Sequence, residues 1–504
     1  MPPRPRTPRW TFALVSAGGV MMTLDVTVVN VALSGIAQDL ETGLGKAQWT
    51  VSAYSLAFGA LLLTAGALSD RLGRRTVFTA GMALFTLASA ACGLAPGAGT
   101  LIAARAAQGL GGAMVFAPTL ALLAAAYAGA RRQAAIAAFA AIASAAGALG
   151  PIVGGLFVQL LGWRWIFLVN VPIGILVVAG ALSRMPESTA PPGTRRRLDP
   201  LGAALGVGAL LALHYPLVTG PEAGWTAPRV LLPAALGVVL AAALVVSQRR
   251  GDGLLDMTLL RIRAFSGAAL LGFLARLSSL GVLAFVTLWL QSAHAYSPLE
   301  VGLHLLPLTG SLLVAGLFVA RLQRALPADL LVAGGFAAQG LGLLGLAAAG
   351  AGGDRALTVA ALVLLGTGGA VIFPPLMGIA VGAAPADRAG MASGLTNACY
   401  PLGTATGVAV FGALFSARLS DGLGTGPGAT GPVREAVETG RFELLDPALL
   451  PVARTAFAGA FSTVCLASAL VCLVGVLAAR TLRAGTEAAG GRAERPRSRI
   501  ARAS

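Results

Sequence analysis

Three ionisable side chains stand inside long apolar segments of the 504-residue chain: Asp25, Arg105 and Arg276. An isolated charge in an apolar environment is costly, so each is a candidate functional residue. A carboxyl group can take up and release a proton, and Asp25 is the one carboxylate well inside such a segment. Arginine stays protonated in proteins, so Arg105 can act only through its charge and its hydrogen-bond donors. We therefore expect proton transfer at Asp25, with Arg105 stabilising its ionised form or another acceptor.

Each of these residues also has a purely structural interpretation. Asp25 can form a structural ion pair or a helix-packing hydrogen bond, and Arg105 can anchor backbone carbonyl groups. Three interpretations of Arg276 stay open: it binds an anionic group of a ligand, it pairs with a carboxylate such as Asp25, or it extends its charged end towards water. His214, His294 and His304 are scattered without metal-ligand spacing, so we expect no metal site.

Two short segments combine glycine with residues that control helix geometry. The first is a polar segment with two glycines, one acid and several arginines: Gly66, Asp70, Arg71, Gly73 and Arg74. Its glycines suit a tight turn and close helix approach, while Asp70 can pair with an arginine or a helix N-terminus. The second contains Gly150, Pro151, Gly154 and Gly155. Proline kinks a helix and glycines let a neighbouring helix approach closely, although an ordinary kinked helix is the simpler interpretation.

The composition identifies the environment of these segments. Only 11% of the residues are charged and 56% are hydrophobic, whereas a soluble domain carries about 25% charged residues. Apolar segments of about 20 residues, the length needed to cross a bilayer, recur along the chain. We predict an all-α polytopic membrane protein with fourteen transmembrane spans. The predicted spans are 10–34, 47–69, 77–95, 99–126, 133–159, 163–184, 200–219, 227–248, 264–291, 299–323, 327–350, 355–384, 389–417 and 454–482.

The basic residues predict the orientation of the chain. The net charge is +16, which would also suit a nucleic-acid-binding protein. Most of the 36 Lys and Arg residues, however, lie in the two tails and in every second loop, as the positive-inside rule requires of a membrane protein. We therefore predict that both termini are cytoplasmic and that no nucleic acid is bound. The first apolar segment is long enough to span, so we expect an uncleaved first helix.

The chain repeats itself at offsets of roughly 250 residues, which predicts its domain organisation. Gly111–Pro118 is echoed by Gly368–Pro375, and Pro151 by Pro401. We predict a six-helix half at residues 1–184, a linker and two inserted helices at 185–263, a second six-helix half at 264–482, and a polar, disordered cytoplasmic tail at 483–504. The second half includes one long external loop at 418–453. Parallel halves around a central site are a transporter architecture.

The motifs resemble those of the fourteen-span drug:proton antiporters of the major facilitator superfamily. The segment from Leu24 to Leu33 is similar to the family's first-helix signature, and Gly66–Arg75 to its loop between helices 2 and 3. Trp163–Gly174 resembles the loop before helix 6, and Met391–Asn397 fits helix 13. The resemblance spans nearly the whole chain and implies the major facilitator fold.

The resemblance also implies roles for individual residues. Asp25 and Arg105 would couple transport to protons. The segment with Gly66, Asp70, Arg71, Gly73 and Arg74 would form a conformational latch. Gly150, Pro151, Gly154 and Gly155 match the motif that marks exporters, although the usual leading glycine is Ala146 here. The candidate substrate cavity contains Asn30, Tyr54, Gln108, Arg276 and Asn397, although no motif of the family calls for Arg276.

The resulting prediction is a secondary transporter, not an enzyme. It would export small amphipathic or lipophilic compounds, such as drugs or antibiotics, across a bacterial cytoplasmic membrane in exchange for protons. The alternative within transport is a dedicated exporter of one endogenous metabolite, and a remote alternative is a membrane-embedded enzyme or sensor. The sequence has no Walker-type loop, so we expect no ATP, no cofactor and no metal. The expected partners are a small-molecule substrate, protons and the lipid bilayer, with the protein a monomer.

Overall fold

The computed structural model describes residues 8–189, 199–249, 257–352, 354–384, 388–424 and 431–493. Almost all of them are helical. The helices in chain order are α1 (Pro8–Asp39), α2 (Leu44–Leu72), α3 (Arg74–Gly93), α4 (Ala98–Ala126), α5 (Gly129–Leu161), α6 (Trp165–Leu168), α7 (Asn170–Arg184), α8 (Pro200–Ala223), α9 (Pro228–Gln248), α10 (Met257–Leu260), α11 (Arg263–His294), α12 (Pro298–His304), α13 (Leu306–Ala325), α14 (Ala328–Gly352), α15 (Arg355–Ala383), α16 (Ala389–Leu423), α17 (Gly431–Glu438) and α18 (Leu450–Ala493).

The described residues contain fourteen helical segments long and apolar enough to cross a membrane, which confirms the predicted number. Inside a bilayer each backbone N–H and C=O group needs an internal partner, and a continuous helix provides it. Two spans are interrupted: α6 and α7 together form one, and α12 and α13 form another. We call the side of the membrane where α1 begins the terminus side, and the opposite side the far side.

Several helix ends are fixed by side chains or by glycine. Asp199 accepts a hydrogen bond from the backbone N–H of Gly202 at the start of α8, and Asp354 does the same for Ala356 at the start of α15. These caps satisfy N–H groups that have no partner within the helix. At the end of α5, Gly162 has φ +88°, a conformation that favours glycine.

The helices pair in the same pattern in the two parts of the chain. In the first part α1 packs on α5, and α4 packs on both α2 and α3. In the second part α11 packs on α16, and α15 packs on both α13 and α14. Each pair in the first part corresponds, in the order of the proposed repeat, to the pair in the same position of the second part. The pattern therefore supports our proposal of two six-helix halves, α1–α7 and α11–α18.

The inserted helices α8 and α9 lie outside these two sets. Helix α8 packs against α2 and also against α16, one helix from each half. Helix α9 packs on α8 and leaves most of its own surface open, with only 11% of its most apolar stretch buried. Since that open surface is apolar, α9 is suited to face lipid.

The segments between and after the spans differ from the expectations in two places. The predicted external loop at 418–453 contains the end of α16, the helix α17 and a short 3-10 turn at Phe442–Leu444. The predicted disordered tail begins within a helix, because α18 continues to Ala493. Residues 494–504 lie outside the described part of the chain, as do residues 190–198 of the predicted linker, including Arg195, Arg196 and Arg197.

Candidate functional site

Asp25 and Arg105 form a buried ion pair. Asp25 projects from α1 and Arg105 from α4, and Arg105 Nη1 lies 2.5 Å from Asp25 Oδ2. Both side chains are 1% exposed. The sequence suggested that Arg105 could pair with Asp25, and the structure contains this ion pair. A buried carboxylate needs a partner of opposite charge and additional hydrogen bonds, and both are found here.

Gln108 connects the ion pair to α3. Its Nε2 donates hydrogen bonds to Asp25 Oδ1 at 2.9 Å and to Ser89 Oγ at 2.8 Å. Its Oε1 accepts a hydrogen bond from Arg105 Nη1 at 2.6 Å. Because the one amide bonds to both members of the pair, it holds the carboxylate and the guanidinium in a fixed relative position. Ser89 was not singled out by the sequence analysis, since a serine in an apolar span is common.

The remaining contacts of Arg105 come from α2 and α6. Its Nε donates a hydrogen bond to the carbonyl oxygen of Thr50 at 2.8 Å. The guanidinium carbon lies 4.4 Å from the ring centroid of Tyr54 and 5.6 Å from that of Phe167. Aromatic rings attract a cation at such distances. Five helices of the first half, α1, α2, α3, α4 and α6, thus contribute to one charged cluster, which we call the Asp25 cluster: Asp25, Thr50, Tyr54, Ser89, Arg105, Gln108 and Phe167.

The Asp25 cluster is closed to solvent in this conformation. Besides the ion pair itself, Tyr54 is 2% exposed and Gln108 is 0% exposed. The sequence predicts that Tyr54 and Gln108 line a substrate cavity; in this conformation both belong to the Asp25 cluster and are buried. A proton can therefore reach Asp25 only after the helices around the cluster move.

The segment between α2 and α3 makes the predicted tight turn at Gly73, but Gly66 is not part of a close helix contact. Gly73 has φ +106°, which favours glycine, whereas a side chain at Gly66 would meet nothing within 4 Å. Asp70 Oδ1 lies 3.6 Å from Arg74 Nη2, one helical turn away, and Arg71 stands in the last turn of α2. The described contacts of Asp70 are thus local to this turn.

Glu187, which the sequence analysis missed, closes the same turn from the segment after α7. Its carboxylate accepts hydrogen bonds from the backbone N–H groups of Arg75 and Thr76, at 2.9 and 3.1 Å, and from the Thr76 hydroxyl at 2.6 Å. Arg74 N also donates to the carbonyl oxygen of Ser188 at 2.8 Å. Glu187 thereby caps α3 in place of Gly73, which has no side chain. The sequence contains no signal of this contact, because Glu187 lies more than 110 residues from the turn that it caps.

Replacing Glu187 with Gln is expected to lower the thermal stability of the purified protein. Partial burial alone would raise the pKa of Glu187, but hydrogen bonds from Thr76, Ser188 and Arg75 outweigh it and hold the pKa below its usual 4.5. Stabilisation by a group with a lowered pKa is present above pH 4.5 and is lost as the pH falls through the folded-state value. Loss of a cap costs about 0.5–2 kcal/mol, and we expect the lower end because the carboxylate is 32% exposed.

Thermal unfolding in detergent at pH 7 and pH 4 measures this effect. The difference in Tm between the parent and Glu187→Gln should be clear at pH 7 and smaller at pH 4. Glu443→Gln is the matched control, because Glu443 is exposed and forms no hydrogen bond or ion pair among the described residues. A difference in Tm that does not change with pH would contradict a role for the Glu187 charge.

The glycines of α5 bring it close to two other helices. A side chain at Gly150 would meet Thr27 of α1, and one at Gly154 would meet Val28 of α1. A Cβ atom at Gly155 would lie 2.3 Å from the carbonyl oxygen of Pro298 and 2.8 Å from Leu299 Cα, in α12 of the second half. The predicted close approach is therefore present, and Gly155 makes it across the interface of the halves.

Gly302 is the counterpart of Gly155, and the sequence analysis did not identify it. A Cβ atom at Gly302 would lie 2.5 Å from the carbonyl oxygen of Pro151 and 2.9 Å from Ile152 Cα. In addition, Leu299 N donates to Gln159 Oε1 at 3.2 Å. Helices α5 and α12 thus pack backbone against backbone at the far side, and each contributes a glycine.

Helices α1 and α11 join the halves on the same side. Thr287 Oγ1 donates to the carbonyl oxygen of Asn30 at 3.0 Å, and Gln291 Nε2 donates to that of Val31 at 3.0 Å. Ser34 also donates to Gln291 Oε1. Asn30 is 5% exposed, so it belongs to this far-side closure in the present conformation.

Arg276 and Asn397 are the predicted cavity residues that retain open surface. Arg276 packs on aromatic rings of α15 and α16 and makes no ion pair with Asp25, whose carboxylate is held by Arg105 and Gln108. Asn397 lies on α16, one turn before Tyr400. The predicted site residues therefore fall in three places: the closed Asp25 cluster in the first half, the contacts at the far side, and the half-buried Arg276 in the second half.

The geometry agrees with the result of sequence comparison. The sequence model of the Major Facilitator Superfamily matches residues 15–408 of the chain. The chain belongs to the Major Facilitator Superfamily. It is a multi-pass membrane transporter that acts on small-molecule substrates, and not an enzyme.

Three curated relatives extend over most of the chain. The multidrug resistance protein Stp of Mycobacterium tuberculosis is 37% identical over 82% of this chain and 77% of its own length. The tetracenomycin C resistance and export protein of Streptomyces glaucescens is 35% identical over 82% and 77%. The methylenomycin A resistance protein of Streptomyces coelicolor is 36% identical over 79% and 84%.

Solved structures share the fold at low sequence identity. A bacterial homologue of the human lysosomal transporter Spinster, in an inward-facing and unoccupied conformation, superposes with a TM-score of 0.63 at 14% identity, over 96% of this chain and 99% of that one. The POT family transporter PepTSo gives a TM-score of 0.63 at 14% identity, over 95% and 99%. These similarities concern the fold alone.

Proposed function

We propose that this transporter is a proton-coupled antiporter that exports small amphipathic or lipophilic compounds, including drugs or antibiotics. The observation that carries the proposal is the buried pair of Asp25 and Arg105. Curated relatives that match about four fifths of the chain are named as multidrug or antibiotic resistance and export proteins, which supports export as the direction. The exporter motif of α5 supports the same direction.

The Asp25 cluster has the properties that proton coupling requires. An ionised Asp25 balances the charge of Arg105, whereas a protonated Asp25 leaves that charge unbalanced in a buried position. Protonation therefore favours a different arrangement of α1 and α4. Since the cluster is closed here, the proton enters when the helices separate, and the two protonation states favour different conformations of the halves.

The arginine distribution supports an orientation with both termini in the cytoplasm of a bacterium, so the far side faces outward. In that orientation the α5–α12 and α1–α11 contacts close the outer end of the transporter. Substrate would enter from the cytoplasm in this conformation and leave after these contacts open. We propose that a single chain carries out the whole cycle, because both halves lie within it.

A dedicated exporter of one endogenous metabolite is the second candidate. It is favoured by the relative named for both resistance to and export of a single compound, tetracenomycin C. The relative named as a multidrug resistance protein favours the broader substrate range. A panel of substrates distinguishes the two candidates, because a dedicated exporter moves one compound and ignores the others.

Proteoliposomes with an imposed pH gradient test the proposed function. Three probes are loaded in turn: ethidium, neutral 1-naphthaleneacetamide and anionic 1-naphthaleneacetate. We expect at least one of them to move against its own gradient and to stop when an ionophore collapses the pH gradient. The antiport proposal is wrong if the pH gradient drives transport of none of the three probes and of no compound in an extract of candidate metabolites.

A further inference from the structure

Arg276 lies in the middle of α11 and has no partner of opposite charge in the part of the chain that the structure describes. It stands thirteen residues after Arg263, where α11 begins, or about 20 Å along the helix. Its guanidinium carbon is 4.2 Å from the ring centroid of Phe373 on α15 and 6.0 Å from that of Tyr400 on α16. Within the described residues it makes no ion pair, and no hydrogen bond involves its side chain. The side chain keeps part of its surface open.

The charge of Arg276 is therefore not balanced as the charge of Arg105 is. In the first half Asp25 neutralises Arg105, and Gln108 and Thr50 accept hydrogen bonds from it. Around Arg276 two ring faces attract the cation, but they provide no acceptor in the plane of the guanidinium group. Its five N–H donors then need acceptors from elsewhere. An anion would supply both the missing charge and the missing acceptors.

The surroundings of Arg276 form a built site and not a random crevice. A Cβ atom at Gly403 would lie 3.2 Å from Arg276 Cβ, and one at Gly272 would lie 2.3 Å from the Tyr400 ring. These two glycines let α11 and α16 approach so closely that Arg276 and Tyr400 stand side by side. The Tyr400 hydroxyl is buried and has no hydrogen-bond partner among the described residues. It is a second polar group next to the cation that a ligand could satisfy.

We propose that Arg276, Phe373 and Tyr400 bind the anionic group of an aromatic substrate, such as an aryl carboxylate or sulfonate. The inference rests on the proposed function, since it names the substrate class of the same transporter. A planar guanidinium can hold a carboxylate through two parallel hydrogen bonds. The Phe373 ring lies where it can contact the ring of such a ligand, and the Tyr400 hydroxyl can donate to the anion. Asn397, one turn away on α16, borders the site.

The charge of the substrate has a consequence for the driving force. When one monovalent anion leaves and one proton enters, the net effect is the transfer of two positive charges into the cell. Exchange of a neutral compound for a proton moves one charge, and exchange of a monovalent cation moves none. Export of the anion should therefore respond to an electrical potential more strongly than export of its neutral analogue.

Equilibrium dialysis of the purified, detergent-solubilised full chain tests the site directly. The probes are 1-naphthaleneacetate and 1-naphthaleneacetamide, which share a ring system and differ in charge. We expect the anion to bind at least about tenfold more tightly than the amide. In Arg276→Gln this preference should disappear, while Arg276→Lys should keep part of it because the charge remains. Arg263→Gln is the matched control: it removes an exposed arginine from the same helix and should keep the full preference.

The outcomes separate the inference from the proposed function, because dialysis needs no gradient. Anion binding that depends on Arg276, without gradient-driven transport of any probe, would leave the site intact and contradict the antiport. Gradient-driven transport with equal or undetectable binding of the anion would overturn the inference alone. An anion preference unchanged in a folded Arg276→Gln protein, checked by its Tm, would also overturn it and assign Arg276 to structure.

Discussion

Replacing Asp25 with Asn is expected to reduce pH-gradient-driven efflux to the level of protein-free vesicles. Asn has nearly the shape of Asp and can accept the hydrogen bond from Gln108, but it cannot exchange a proton. Exchange of labelled for unlabelled substrate across the membrane, which needs no net proton movement, should persist. The measurement is the ratio of these two rates in the same proteoliposomes.

The unpaired charge left on Arg105 must be controlled for. Removing one partner of a buried pair costs about 3–5 kcal/mol, so Asp25→Asn alone can fold poorly. The double variant Asp25→Asn/Arg105→Gln removes both charges and should recover stability, as measured by Tm, without recovering gradient-driven efflux. Asp39→Asn makes the same change at the far end of α1, where Asp39 pairs with Arg164 at the surface, and should keep efflux. Gradient-driven efflux by a folded Asp25→Asn protein would disprove the coupling role.

Replacing Gly155 with Ala is expected to abolish efflux by preventing closure of the far side. The new Cβ would lie 2.3 Å from a backbone oxygen of α12, and a helix backbone cannot rotate away as a side chain can. Overpacking costs about 1–3 kcal/mol, and each 1.4 kcal/mol changes the ratio of the closed to the open state tenfold. The transporter should therefore spend most of its time open to the far side.

A cysteine introduced at Ala37 reports on this closure. Ala37 is 1% exposed in the crevice between α1 and α11. A membrane-impermeant maleimide added from the far side should label Ala37→Cys at least about ten times faster when Gly155→Ala is present. Gly99→Ala is the control, because a side chain at that far-side glycine would meet nothing within 4 Å. Equal labelling rates in the two backgrounds would mean that α5 and α12 do not form the gate.

The sequence was most informative where a residue type conflicts with its surroundings. A charge in an apolar helix is costly wherever the helix lies, so Asp25, Arg105 and Arg276 could be identified without a structure. The partners could not be assigned in the same way. Residues 80 positions apart meet only through the packing of α1 on α4, which single-helix patterns do not specify. For the same reason the sequence does not reveal that Tyr54 and Gln108 contact the ion pair.

Small and common residues escaped prediction for a related reason. Gly302 looks like any glycine in an Ala/Gly-rich chain, and its role depends on the backbone of α5 lying against it. Glu187 stands in a polar connection where an acid is expected to be solvated. The number and length of the spans, by contrast, follow from bilayer thickness and backbone hydrogen bonding alone. Those features were predicted well, apart from helix ends set by individual turns.

The position of α8 makes the two flanks of the transporter unequal. On one flank α8 lies across the contact between α2 and α16. On the other flank, where α5 meets α12 and α13, no described helix has a comparable position. A lipophilic compound dissolved in the bilayer can therefore approach the seam between the halves from only one direction. Helices α8 and α9 would then block lateral access from the membrane on one flank and leave the other flank, at α5, α12 and α13, as the route by which such a compound enters.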